Sequence, residues 1–88
     1  MKIREGFILR DVAGKTFVVA TGELSKSFKG MITLNETGKY IWKLLENGAE
    51  KEEIVEAIMK DYDVQDRALV ENDVNVFIEK LAGDNILE

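Results

Sequence analysis

Gly30-Met31-Ile32-Thr33-Leu34-Asn35-Glu36-Thr37-Gly38-Lys39-Tyr40-Ile41-Trp42 changes its periodicity halfway along, and that change decides the fold. From Met31 to Leu34 the alternation of a short strand puts Ile32 and Leu34 on one face and Met31 and Thr33 on the other. Helix-start chemistry follows at once. Thr33-x-x-Glu36 reads as a capping box, and Asn35 serves as the cap instead if the helix begins two residues later. From Glu36 to about Asn47, residues Thr37, Tyr40, Ile41, Leu44 and Leu45 recur at helical spacing, and Gly48 suits the position just past the helix end. Tyr40 and Trp42 read as rim and core residues of this helix rather than as a ligand cage.

Upstream of this switch, Phe7–Val12 and Thr16–Thr21 are rich in β-branched and aromatic residues, and Ala13-Gly14-Lys15 between them predicts a tight hairpin. Gly22 to Lys29 is polar and mixed, a loop with Leu24 and Phe28 tucked inward. Downstream, a second helix is expected over Lys51–Asp61, burying Ile54, Val55, Ile58 and Met59 with Tyr62 at its end. A third is capped by Asp63 or Asp66, runs to about Ala82 and closes at Gly83. On that last helix Val70, Val74, Phe77, Ile78 and Leu81 form one core stripe. Leu69 and Val76 lie roughly 100–120° away from Val70. They are either incidental surface residues, which are common, or one wall of a groove beside the sheet.

Eighty-eight residues with 45% hydrophobic and 33% charged side chains predict one globular domain spanning residues 1–88. There is no cysteine and no histidine, which excludes disulfide frameworks, zinc knuckles and His- or Cys-based nucleophilic dyads. Glu50, Glu52, Glu53 and Glu56 read as a solvated helix face, favourably placed at a helix N-terminus. Asp61, Asp63 and Asp66 match a calcium loop only loosely, with the glycine and closing Glu misplaced. The glycines make neither a dinucleotide fingerprint nor a P-loop. The residues therefore predict no catalytic site, no metal site and no cofactor. Met1 to Glu5 lack the apolar core of a signal peptide and no run is long enough to span a membrane, so a cytoplasmic protein without a membrane partner is expected. The net charge of −5 is unevenly spread: the first 43 residues are basic and the remainder strongly acidic. Either the acidic helices are simply solvated, or the basic half meets an acidic partner.

"ITLNETGKYIW" followed by "LLENGAEKEEIVEAI" resembles the PqqD-like family, small domains that hold the leader segment of a precursor peptide for a modifying enzyme. "GFILRDVAGKTFVV" (Gly6 to Val19) is similar to the family's opening hairpin and "LNETGKYIW" to its most recognisable signature. Gly48 with Glu52-Glu53-Ile54-Val55 matches its second helix, Asp73-Val74, Phe77 and Leu81 its third, and Ile86-Leu87 its usual ending. One place departs: a Ser or Thr is common two residues after the glycine, where this chain has Glu50. That removes a capping side chain, about 1 kcal/mol of helix stability.

The resemblance implies an α+β, winged-helix-like fold with an N-terminal three-stranded antiparallel sheet followed by three helices. It implies a non-catalytic binding protein that captures a leader peptide by strand addition and presents it to a radical S-adenosylmethionine enzyme or another peptide-modifying enzyme. By that analogy the peptide-binding residues are Lys29, Gly30, Met31, Ile32, Thr33 and Leu34 on the strand and Leu69, Asp73, Val76, Phe77 and Lys80 on the helical wall. Lys26 and Lys29 would favour an acidic leader. The alternative is a winged-helix nucleic-acid binder. Against it, Asp66 to Lys80 carries four acidic and two basic residues, where phosphate binding needs the opposite sign.

Overall fold

The structure is a computed structural model that describes residues 1–27 and 31–88. The expectations for Phe28, Lys29 and Gly30 lie outside the described residues.

Strands β1 (Phe7–Val12), β2 (Lys15–Ala20) and β3 (Ile32–Leu34) form an antiparallel sheet in the order β1-β2-β3. Ala13 and Gly14 have φ of 52° and 80°, the doubly left-handed loop whose twist suits a two-residue hairpin. Lys15, expected in the connection, opens β2 instead and pairs with Val12. β3 pairs with β2 through Thr16–Leu34, Phe17–Thr33 and Val18–Ile32. This register sends Thr16, Val18, Ile32 and Leu34 into the core, all at or below 9% exposure, while Thr33 faces out.

The described residues also form the helices α1 (Leu24–Ser27), α2 (Glu36–Glu46), α3 (Lys51–Asp61) and α4 (Arg67–Gly83). The architecture is α+β as expected, with α1 as an added turn where a loop was expected. It is held locally by Ser25 N–H and Oγ, both donating to the Gly22 carbonyl. Leu24 packs against the core, which satisfies the expectation of an inward side chain.

Of the two candidate caps for α2, Asn35 is the one used: its Oδ1 accepts from Gly38 N–H at 2.8 Å. Thr33 cannot serve because its pairing with Phe17 keeps it inside β3. Gly48 adopts φ 84° just past the C-cap Asn47, as the sequence predicts. At the start of α3 the missing Ser or Thr is offset in part by Glu53, whose Oε1 accepts from Glu50 N–H at 2.9 Å. Asp66 caps α4, accepting from Leu69 N–H. α4 ends at Gly83, where the sequence places its close, but Gly83 is not left-handed; the left-handed residue is Asn85 at φ 60°.

Trp42, Ile41 and Leu45 of α2 meet Ile54 and Val55 of α3, Val74 and Leu81 of α4 and Val18 of β2 in one core. Each such side chain contributes about 1.5–3 kcal/mol by burial. Thr37, expected on the buried stripe of α2, is exposed; Gly38 and Trp42 take the interior. The chain's two end segments also pair: Ile3 bridges Leu87, Arg4 N–H donates to the Ile86 carbonyl and Glu88 N–H to that of Lys2.

Candidate functional site

β3 is an edge strand. β2 occupies one side of it, and among the described residues no strand occupies the other. Its three residues bury Ile32 and Leu34 and leave Thr33 exposed, so whatever meets this edge meets backbone groups first. Unpaired strand N–H and C=O groups are ready donors and acceptors for a further strand.

β3 passes through Asn35 directly into a cleft of about 370 Å³ between the first turns of α2 and the second half of α4. Asn35, Thr37, Gly38 and Ile41 form one wall; Asp73, Val76, Phe77 and Lys80 form the other. The walls approach closely because position 38 has no side chain. A Cβ built there would lie 3.2 Å from Phe77 Cε1, 3.2 Å from Asn35 Oδ1 and 3.5 Å from Leu34 Cβ. The glycine is there for space, since its backbone is not among those with positive φ. Val76 is 59% exposed and Phe77 half-buried, so the α4 wall carries accessible apolar surface between Asp73 and Lys80.

The expected site residues are only partly brought together. Asp73, Val76, Phe77 and Lys80 share this cleft. Leu69, although on the same side of α4 as Val76, instead lines a second, smaller hollow of about 160 Å³ with Tyr62, Val64 and Ile58. Asp73 and Thr37 line both, so the two hollows adjoin. Ile32 and Leu34 direct their side chains into the core; Met31 is exposed. Asn35, Thr37, Gly38 and Ile41 line the cleft although the sequence pointed to them only as a cap and a helix stripe. The clue was the Asn-x-x-Gly spacing, which marks both a cap and a gap.

Polar contacts fix the frame around the cleft. Asp11 at the end of β1 accepts from Thr16 Oγ1 at 2.5 Å and from Lys39 Nζ at 3.1 and 3.2 Å. These bonds tie the hairpin to the first turn of α2 and hold the Asp11 carboxyl below its ordinary pKa, the Thr16 bond first and Lys39 second. On the other flank the Tyr40 hydroxyl donates to Asp61, and the Tyr40 and Tyr62 rings meet edge to face at 5.3 Å. The Asp61 carboxylate, with burial adding, pushes the Tyr40 phenol up to about 12. Arg67 at the start of α4 pairs with Glu56 of α3, which raises its already high pKa. The loosely calcium-like acids are thus placed separately: Asp61 receives Tyr40, Asp66 caps α4, and Asp63 turns the chain at φ 49°. Trp42 is fully buried with its Nε1 donating to Glu46 at 3.1 Å. Among the described residues no helix is long and apolar enough to cross a membrane.

A small sheet with an open edge thus lies beside a cleft of mixed lining, with Ile41, Val76 and Phe77 set among Asn35, Thr37, Asp73 and Lys80. The model of the family described as Coenzyme PQQ synthesis protein D (PqqD) matches residues 8–87, and the chain belongs to that family. Among solved structures it is similar to one described as TbiB1 in complex with the TbiA(beta) leader peptide, at 34% identity and TM-score 0.78, covering 100% of this chain and 95% of that one. It shares its fold with lasso peptide synthetase B1 complexed with the leader peptide, at 16% identity and TM-score 0.73, covering 97% and 93%. Among curated proteins none matches.

Proposed function

We propose that this protein is a non-catalytic recognition module that captures the leader segment of a ribosomally made precursor peptide and presents it to a peptide-modifying enzyme. The observation that carries this reading is the open edge of β3 running into the Gly38–Phe77 cleft. It occurs in a chain 34% identical, over its whole length, to a protein solved with its leader peptide. The leader adds as a further strand on β3, with backbone hydrogen bonds supplying affinity. Side chains on one face of the added strand enter the cleft against Val76 and Phe77 and supply selection. The binding segment comprises Lys29 to Leu34 with Asp73, Val76, Phe77 and Lys80, while Leu69 contributes from the adjoining hollow. A radical S-adenosylmethionine enzyme is the partner that the family resemblance implies. The acidic surface of α4 argues against nucleic acid as the ligand.

Titration with the unmodified leader of the cognate precursor tests this. Calorimetry should give a dissociation constant between micromolar and nanomolar, roughly −8 to −12 kcal/mol, and mass spectrometry should show the peptide unchanged. The backbone amides of residues 31–34 should gain protection from hydrogen exchange on binding. Absence of binding to any cognate leader refutes the function, and protection confined to another element moves the site.

A further inference from the structure

Asp73 and Lys80 stand at opposite ends of the α4 wall of the cleft, with Val76 and Phe77 between them. Neither forms a salt bridge or a side-chain hydrogen bond among the described residues, whereas Arg67 and Lys39 are both neutralised by carboxylates. The cleft therefore offers an apolar centre with an unmatched anion at one end and an unmatched cation at the other. Seven helical residues span about 10.5 Å at 1.5 Å each. An extended chain covers that distance in about three residues.

Resting on the peptide-binding reading above, we propose that the cleft selects a segment with a fixed order of charge. A basic residue lies against Asp73, an apolar residue enters between Val76 and Phe77, and an acidic residue lies against Lys80. The two ligand charges are about two to four residues apart, within reach of flexible side chains. Uniformly acidic or uniformly basic segments meet one favourable and one repulsive end and gain little. The pair also gives direction: a segment with the same composition in reverse order, laid on β3 with the same polarity, places like charges together at both ends.

Display selection of random dodecapeptides against the intact protein tests this, whatever the sequence of the natural leader. Enriched peptides should share an apolar residue between a base and an acid in one constant order. A synthetic peptide of the winning sequence should bind the Asp73→Lys and Lys80→Asp variants about fivefold more weakly each, the scale of one exposed ion pair. The double variant Asp73→Lys with Lys80→Asp should prefer the reverse-order peptide. Both positions lie on the exposed surface of α4, and unchanged melting of the variants confirms an intact fold. Enriched peptides that lack the charge order, or single reversals that leave affinity unchanged, overturn this inference while leaving peptide capture standing. A selection that enriches no binding peptide overturns both.

Discussion

The edge of the Phe77 ring stands 3.2 Å from the point where a Cβ at Gly38 would be. One wall of the cleft is thus shaped by an atom that is missing from the other. Substituting alanine at position 38 sets an overpacking cost of about 1–3 kcal/mol against a helix-propensity gain of about 0.5–1 kcal/mol. The net expectation for Gly38→Ala is a loss of about 1 kcal/mol in denaturant melts, with weaker peptide binding as the ring swings into the cleft. In a Phe77→Leu background the same change should cost distinctly less. An equal cost in both backgrounds would show that the contact is not what makes glycine necessary.

Val76→Asp separates surface from core on α4. Val76 is 59% exposed, so the variant should melt within about 1 kcal/mol of the parent. Binding of the cognate leader should nonetheless fall, because in the proposed site the new carboxylate takes the place of an apolar contact for the ligand. A variant with normal melting and normal affinity would remove Val76 from the site.

Asp11 makes the hairpin's attachment to α2 sensitive to acid. Its folded pKa is lowered, so its contribution is present above the unfolded value of about 4 and is lost as pH falls through the lower folded value. Asp11→Asn should therefore be less stable than the parent at neutral pH, and the difference should narrow as the solution is acidified below that range. Urea midpoints of both proteins across the acidic limb provide the check; a gap that stays constant with pH would show the carboxylate's charge to be immaterial.

Tyr40 gives the opposite dependence. Its folded pKa is raised to about 12, so the bond to Asp61 contributes fully below the unfolded value of about 10 and is lost as pH rises through the folded one. Tyr40→Phe should cost about 1 kcal/mol at neutral pH, a partly exposed hydrogen bond to a carboxylate, and should abolish an ultraviolet phenolate transition near 12. Retention of that transition in the variant would reassign it.

The strand-to-helix switch at residues 31–36 was legible because two periodicities meet there within a few residues, and β3 and α2 fall where they change. The choice between Thr33 and Asn35 as cap was not, since both side chains can accept the bond. What settles it is a tertiary fact, the pairing of Thr33 with Phe17 across the sheet. Thr37 fitted the helical stripe, yet the entry angle of α2 turns it to solvent and puts Gly38 inside. The α4 wall was readable as a second apolar stripe, and Val76 does line the cleft. That Leu69 belongs to the adjoining hollow depends on where α3 ends and Tyr62 sits, which no single-helix pattern contains. Turn α1 left no mark on the pattern because four residues are too few to show a period.

The two walls of the cleft come from parts of the chain separated by the whole of α3. During synthesis the hairpin, β3 and α2 can all be present while the groove does not yet exist; the groove is complete only when α4 docks. Any opening that lifts α4 away in the finished protein removes that wall, and with it the proposed binding site. A bound peptide opposes that opening by mass action, by about 2.7 kcal/mol at a hundredfold excess over its dissociation constant. With the peptide seated as proposed, the cargo is a fastener for its own receptor, and protection of α4 amides against exchange should rise with occupancy even at residues the peptide never touches.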